Sequence, residues 1–328
     1  MENFKLLEDK LEIFLITYTR RDFLEKTLDS IFSENSPIKE CQITILDNKS
    51  TDGSTELIDE KIKNRLNVKH IVHNRNIGGN GNIARAIELA GSKKYFWVLC
   101  DDDEYNWDNW SEIENAINSD YDAIFTEISH FKHFKNDASI LRQATFLPAV
   151  IYKTDLITSD VMQNAVSNII NLFPHLALIC HVINENKRVF IPQKAIVIVG
   201  QPVNAKNTGL AYFTSTKENT HPYVRDMFYI VGLINSVQMI KDKKRRAFIL
   251  NHISAKNTGF FREISANFKR NRMFYNNSFK NICDVFAGIN FCQKIQFLLA
   301  LIWLDFLYAV KRFILRDKRY SKNATIKR

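Results

Sequence analysis

Residues 95–110 read YFWVLCDDDEYNWDNW, an apolar run that passes directly into three aspartates, Asp101, Asp102 and Asp103. Adjacent carboxylates repel one another where the dielectric is low, so a chain that sets them at the end of a strand needs something positive there to hold. Asp101 and Asp103 occupy alternate positions on a strand-to-loop transition, from which two carboxylates can converge on one ion. Oxygen ligands suit a hard divalent cation, Mg2+ or Mn2+, that leaves positions open for substrate phosphates. The competing use is ordinary N-capping of the NWDNWSEIENAI segment that follows.

The elements that must position these aspartates are legible on both sides of them. LEIFLITYT (11–19), CQITILD (41–47), VKHIVHN (68–74) and KKYFWVLC (93–100) read as strands. RRDFLEKTLDSIF (20–32), residues 55–64 and NIARAIELA (82–90) carry apolar residues at helical spacing. This β-α-β-α-β-α-β order predicts an α/β fold with a mostly parallel sheet covered on both faces. Ligands of such sheets bind beyond the carboxyl ends of the strands. Three polar clusters fall at that edge, Thr17–Arg20, Asp47–Asp52 and Asp101–Asp103, and they are expected to share one crevice.

Composition narrows the class. With 328 residues, 45% of them hydrophobic, the chain has material for one large domain or a domain with an appendage. The five cysteines, Cys41, Cys100, Cys180, Cys283 and Cys292, form no C-x-x-C pair and sit mostly in apolar runs, which favours reduced core thiols over zinc. The first ten residues mix acids and bases without an apolar run, so a cytoplasmic location is expected. The net charge of +9 is uneven: residues 241–328 hold 20 Lys and Arg against five Asp and Glu, and residues 1–240 hold 25 against 31. The basicity belongs to the C-terminal part.

Four segments, IFLITYTRRDFLEKTLDSI, ITILDNKSTDGS, NRNIGGNGNIARAIELA and YFWVLCDDD, stand in an order and at a spacing that resembles the family 2 glycosyltransferases of the GT-A fold, of the bacterial surface-glycan type. The resemblance covers about residues 11–130. It implies a catalytic domain over residues 1–220, with a nucleotide-binding half to about 130 and an acceptor half beyond it, followed by a helical, basic region over 221–328. It implies transfer of a sugar from a nucleotide-diphosphate donor, UDP or dTDP type, to a lipid-linked or oligosaccharide acceptor. It further implies that Thr17, Tyr18, Arg20, Asp47, Asn48, Arg85, Asp101 and Asp102 line the donor side, with Mn2+ or Mg2+ on Asp101 and Asp103 neutralising the leaving diphosphate. The glycines of NIGGNGN permit a tight turn beside the donor; no Lys-Ser/Thr follows them, so the segment is not a phosphate loop of the Walker type.

An inverting transfer also needs a base for the acceptor hydroxyl. The acidic pair that the family places about 80 residues after its metal motif is missing. At that distance stands NLFPHLALICH (171–181), which makes His175 the candidate base or third metal ligand, with Asp155 and Glu185 as alternatives.

The segment IQFLLALIWLDFLYAVKRFILRDKRY (295–320) is apolar over 14 residues except for Asp305, too short to span a bilayer, and is followed by Lys311, Arg312, Arg316, Lys318 and Arg319. That pattern suits a helix lying on the inner face of the cytoplasmic membrane, or else a core helix or homo-oligomer interface. Nucleic acid is not an expected partner: KRNRMFYNNSFK (269–280) is basic and aromatic, but no recognition motif accompanies it. A catalytically silent sugar-nucleotide binding module is the remaining alternative to an enzyme.

Overall fold

The computed structural model describes residues 6–131, 136–198 and 232–252, together with scattered helical positions between 291 and 310. Four parallel strands form its centre: β1 (Leu11–Thr17), β2 (Gln42–Asp47), β3 (Val68–Val72) and β4 (Tyr95–Cys100). Between them run α2 (Arg21–Ile31), α3 (Ser54–Ile62) and α4 (Gly79–Leu89), after a single-turn α1 (Leu7–Lys10). All four expected strands and all three expected helices are present, within a few residues of their predicted ends.

The sheet continues with antiparallel pairs. β5 (Glu104–Tyr105) and α5 (Ser111–Asn118) lead to β6 (Ala123–Phe125), α6 (Asp137–Ala144) and β7 (Val150–Lys153). Then come α7 (Ser159–Ser167), α8 (Leu176–Asn184), β8 (Val189–Phe190) and β9 (Val197–Ile198). The seven-stranded order is β3-β2-β1-β4-β7-β6-β8, and β5 pairs separately with β9. Because β7 is antiparallel to both β4 and β6, β6 ends at the same edge of the sheet as β4.

Period-two alternation sends the side chains of β1 to two cores. Leu11, Ile13 and Leu15 pack with Ile43, Ile45, Trp97 and Leu99 against α2, α3 and α5. Phe14 packs with Leu46, Phe96, Val98 and Phe125 against α4, α6, α7 and α8. Helix α2 seals the first core with Leu24, Leu28 and Ile31, all fully buried. Each such side chain contributes about 1.5–3 kcal/mol through loss of apolar surface to water.

The helical stretch 232–237 and the helix Lys243–His252 join the second core instead of forming part of an appendage. Leu233, Ile234, Val237, Ile240, Ile249 and Leu250 are buried there. Polar bonds fix the seam: Asn235 Nδ2 donates to Asn171 Oδ1 at 3.0 Å and Asn184 Nδ2 to Met239 O at 2.9 Å. Arg245 pairs with Asp137 and donates to Ile183 O at 2.6 Å. The core therefore extends past the expected boundary at residue 220, because the chain from 232 to 252 supplies apolar side chains that cover α8.

Among the described residues Cys41 and Cys180 are buried free thiols, as expected, whereas Cys292 is exposed. Cys283 and most of 295–320, including its basic flank, lie outside the described residues.

Candidate active site

The parallel register brings three strand ends together. Ile16 lies opposite Cys100 and Thr17 opposite Asp47, so the residues that follow β1, β2 and β4 emerge side by side. Thr17 Oγ1 donates to Asp101 Oδ2 at 2.6 Å, and Arg20 Nη1 reaches Asp101 Oδ1 at 3.1 Å and Asp102 Oδ2 at 2.6 Å. The first positive group on the aspartates is thus an arginine from the β1–α2 loop. Burial opposes the Arg20 charge, but Asp101 and Asp102 outweigh it and raise its pKa. Burial also pushes the Asp101 carboxyl up to about 6, against the opposing pull of Arg20 and Thr17.

The aspartates are not helix caps. The side chain of Asn106 accepts from Asp108 N and opens the turn Trp107–Asn109, which leads into α5. The group of three potential metal ligands is Cys100, Asp102 and Asp103, whose ligand atoms lie within 4.8 Å of one another. The expected pair shares Asp103 with this group, while Asp101 is bonded to Thr17 and Arg20. Burial, reinforced by the neighbouring aspartates, keeps Cys100 a thiol. The oxygen donors in this corner are carboxylates, a chemistry that fits Mg2+ or Mn2+.

Asp47 and Asn48 reach the crevice but are turned inward. Asp47 is fully buried; its Oδ1 accepts from Ser50 N at 2.8 Å and its Oδ2 from Thr55 Oγ1 at 2.6 Å. Asn48 Nδ2 donates to Asn76 Oδ1 at 2.8 Å and its Oδ1 accepts from Ile77 N at 2.9 Å. These side chains shape two loops of the crevice and link the β2 turn to the entry of α4. The sequence reading missed Asn76, Ser50 and Thr55, whose only signal is their place in turn-forming segments. Gly78, at φ 80°, makes the turn into α4, while Gly79 and Gly81 belong to the helix. Thr19 holds φ 50°, costly for a β-branched residue, and its N–H donates to Ser50 Oγ at 2.9 Å. Tyr18 beside it is 39% exposed.

Arg85 is not gathered into the crevice: it is exposed on α4 and pairs with Glu88 one turn on. Asp155 is exposed at the opposite edge of the sheet, since the neighbouring Thr154 N donates to Lys94 O at 3.0 Å, at the amino end of β4. Glu185 follows the far end of α8 and pairs with Lys241. His175 stands immediately before α8, beside the backbone of Ala144 and Thr145 at the end of α6. The stretch before it is tied to the start of α4, where Asn80 Nδ2 donates to Ile169 O at 2.7 Å. His175 is 4% exposed, and among the described residues neither ring nitrogen has a hydrogen-bond partner. Burial lowers its pKa to about 4, and the nearby backbone of Thr145 and Ala144 pulls weakly the other way without completing a bond.

A parallel sheet with an acidic triplet at the carboxyl end of its fourth strand, antiparallel strands beyond it and helices on both faces defines a GT-A nucleotide-diphospho-sugar transferase fold. The chain belongs to glycosyl transferase family 2, whose profile matches residues 12–185, more than half of its length. The abequosyltransferase RfbV of Salmonella typhimurium is 32% identical over 109 residues, covering 32% of this chain and 32% of that protein. The poly(ribitol-phosphate) beta-N-acetylglucosaminyltransferase TarS of Staphylococcus aureus is 24% identical over 166 residues, covering 46% and 29%. The chain spans about a third of the length of these curated relatives. The crystal structure of S. aureus TarS 1–349 in complex with UDP-GlcNAc superimposes with a TM-score of 0.53 at 17% identity, over 84% of this chain and 81% of that one. The mannosyltransferase PcManGT from Pyrobaculum calidifontis, in complex with GDP-Man and Mn2+, gives 0.50 at 12% identity, over 95% and 81%.

Proposed function

We propose that the chain is a divalent-metal-dependent, inverting glycosyltransferase. It takes a sugar from a UDP- or dTDP-type donor and adds it to a glycan acceptor of a bacterial surface polysaccharide or lipooligosaccharide. The observation that carries this reading is the acidic triplet at the end of β4, bridged by Arg20 and bonded to Thr17 on the adjacent strand. RfbV and TarS, both named for sugar transfer, support the surface-glycan part.

Asp102 and Asp103 would hold the cation, which when bound supplies positive charge to the departing diphosphate. Arg20 orients Asp101 and Asp102 and adds fixed positive charge at the same place, in a crevice where burial strengthens its effect. Tyr18 offers an open ring face for the nucleotide base. His175, neutral at pH 7, accepts the proton of the acceptor hydroxyl at a ring nitrogen that the fold leaves unbonded.

A membrane surface is the second element of this reading. Phe291, Ile295, Leu298, Leu299, Ile302, Trp303 and Phe306 are exposed at helical positions, and their spacing places them along one face. Among the described residues no helix is long and apolar enough to cross a membrane. The basic residues that follow in the sequence complement an anionic lipid surface at about 1 kcal/mol each. The enzyme would then work peripherally on the inner face of the cytoplasmic membrane, beside a lipid-linked acceptor.

The deciding experiment is thermal stabilisation by UDP-, dTDP-, GDP- and CDP-sugars with and without Mn2+, because a bound donor raises stability in proportion to the logarithm of its excess over Kd. A Mn2+-dependent rise with one nucleotide class supports the reading. No rise with any of them removes it.

A further inference from the structure

Glu127 is a buried carboxylate that the donor site does not use. It lies just beyond β6 and is 7% exposed. Oε1 accepts from Ser129 N at 2.9 Å; Oε2 accepts from Ser129 Oγ at 3.0 Å and from Gln143 Nε2. All three donors are neutral, and no cation among the described residues pairs with the carboxylate. A charge withdrawn from water without a counter-charge is only partly offset by neutral hydrogen bonds. Such a group at the rim of a crevice marks a place where a ligand completes the set.

Its position says which ligand. Thr126 O accepts from Ile196 N at 2.7 Å and Val197 N at 3.1 Å. Val197 in turn pairs with Tyr105, just past Asp103. One strand therefore separates the Glu127 stretch from the loop of the acidic triplet. On the other side, α6 carries Gln143 against Glu127 and brings the backbone of Ala144 and Thr145 beside His175. Glu127, Gln143 and His175 thus belong to one wall beyond the ends of β6 and β7. The donor contacts sit on β1 and β4, and a carboxylate on this wall repels an anionic diphosphate. A neutral, hydroxyl-rich molecule is the ligand whose chemistry fits, because charged acceptors form the stronger class of hydrogen bond with O–H donors.

We propose that Glu127 recognises the acceptor. Its Oε1, which takes a single donor among the described residues, accepts a hydroxyl hydrogen of the incoming saccharide or polyol beside the hydroxyl that reacts at His175. This rests on the glycosyltransferase reading and names the residue that binds the second substrate. Ser129 and Gln143 are positioning residues that fix the carboxylate.

Saturation-transfer NMR on the full chain with UDP and Mg2+ tests it, using methyl glucoside, methyl galactoside, methyl mannoside and ribitol as probes. At least one probe is expected to bind the parent, and Glu127→Gln is expected to weaken it about tenfold, the cost of one charge-assisted hydrogen bond. UDP affinity by calorimetry stays unchanged. Equal probe affinity in variant and parent, or no probe bound to the UDP-loaded parent, overturns the proposal. Failure of UDP itself to bind the parent is read separately by the calorimetry and counts against the donor reading. If Glu127→Gln does not fold, Ser129→Ala decides, since it keeps the charge and removes one restraint: weaker probe binding supports the site, and unchanged binding overturns it.

Discussion

Arg20 Nη1 stands 2.6 Å from Asp102 Oδ2, and the same nitrogen reaches Asp101 Oδ1 at 3.1 Å. One guanidinium thereby bridges two adjacent carboxylates and opposes the burial of Asp101, which alone would drive the Asp101 pKa higher than its value of about 6. Arg20→Ala should therefore move the acid limb of the kcat/KM profile up by about one pH unit or more, the usual effect of removing an arginine from an aspartate. Arg20→Lys should recover part of this, because a single nitrogen makes both contacts and an ammonium can take its place, without the guanidinium's remaining donors. Superimposable pH profiles for parent and Arg20→Ala would show that the bridge does not control the aspartates.

His175 makes stability depend on pH with a definite sign. Its folded pKa is about 4 against an ordinary 6.5, so between those values the unfolded chain binds a proton that the folded one refuses. Its contribution is fully present above pH 6.5 and is lost as the pH falls toward 4, at about 1.4 kcal/mol per pH unit. Asp101, raised from 3.8 to about 6, acts oppositely, since the folded state holds the extra proton between those values. The two slopes partly cancel in the parent, so the difference between parent and His175→Gln is the informative quantity. Denaturant titrations at several pH values should show His175→Gln losing less stability on acidification, together with at least a hundredfold lower turnover, of the order expected for loss of a general base. Parallel stability curves would mean that the histidine titrates normally.

The parallel half of the sheet was legible because its signals are local. Apolar runs of strand length alternate with amphipathic helices, and the loops at one edge carry Thr17, Arg20 and Asp101 in plain view. The inward turn of Asp47 and Asn48 was not legible, because it depends on partners at Thr55 and Asn76 that only the folded loops bring near. β6 is three residues long and Glu127 follows it without a flanking motif, so neither pattern nor spacing singled them out. Asp155 was plausible by position along the chain and Arg85 by the family resemblance, but strand direction sends one to the far edge and helix phase sends the other to solvent.

The ligand set near β4 yields a paired substitution. Asp103→Asn should abolish metal-dependent transfer with the fold intact, because a neutral amide loses both the charge and much of the affinity for a hard cation. Cys100→Ser should leave the dependence on Mn2+ almost unchanged, because burial keeps the Cys100 side chain a thiol. Chelator titrations of both variants measure this. A large loss of Mn2+ affinity in Cys100→Ser would make the sulfur a ligand and point to a softer metal.

Gly232 is packed so closely that a Cβ there would meet Asn171 O at 2.0 Å and Asn171 C at 2.8 Å. Both atoms are backbone, so no side-chain rotation relieves the overlap, and Gly232→Ala must push the 232–237 helix away from the turn Ile169–Asn171. The cost should be about 1–3 kcal/mol, the range for forcing extra volume into a packed core. The same turn bonds to Asn80 through Ile169 O and leads directly to His175, so its displacement should also move the acceptor wall. Donor affinity should hold, because the atoms nearest a Cβ at Gly232 belong to Asn171 and not to Thr17, Arg20 or Asp102. Leu250→Ala provides the control: it opens a cavity in the same core at about 2–5 kcal/mol without adding an atom against the turn. The expected pattern is a larger fall in transfer rate for Gly232→Ala than for Leu250→Ala, despite equal or smaller destabilisation by denaturant titration. A Gly232→Ala variant as stable and as active as the parent would mean that the helix and the turn are not in contact in solution.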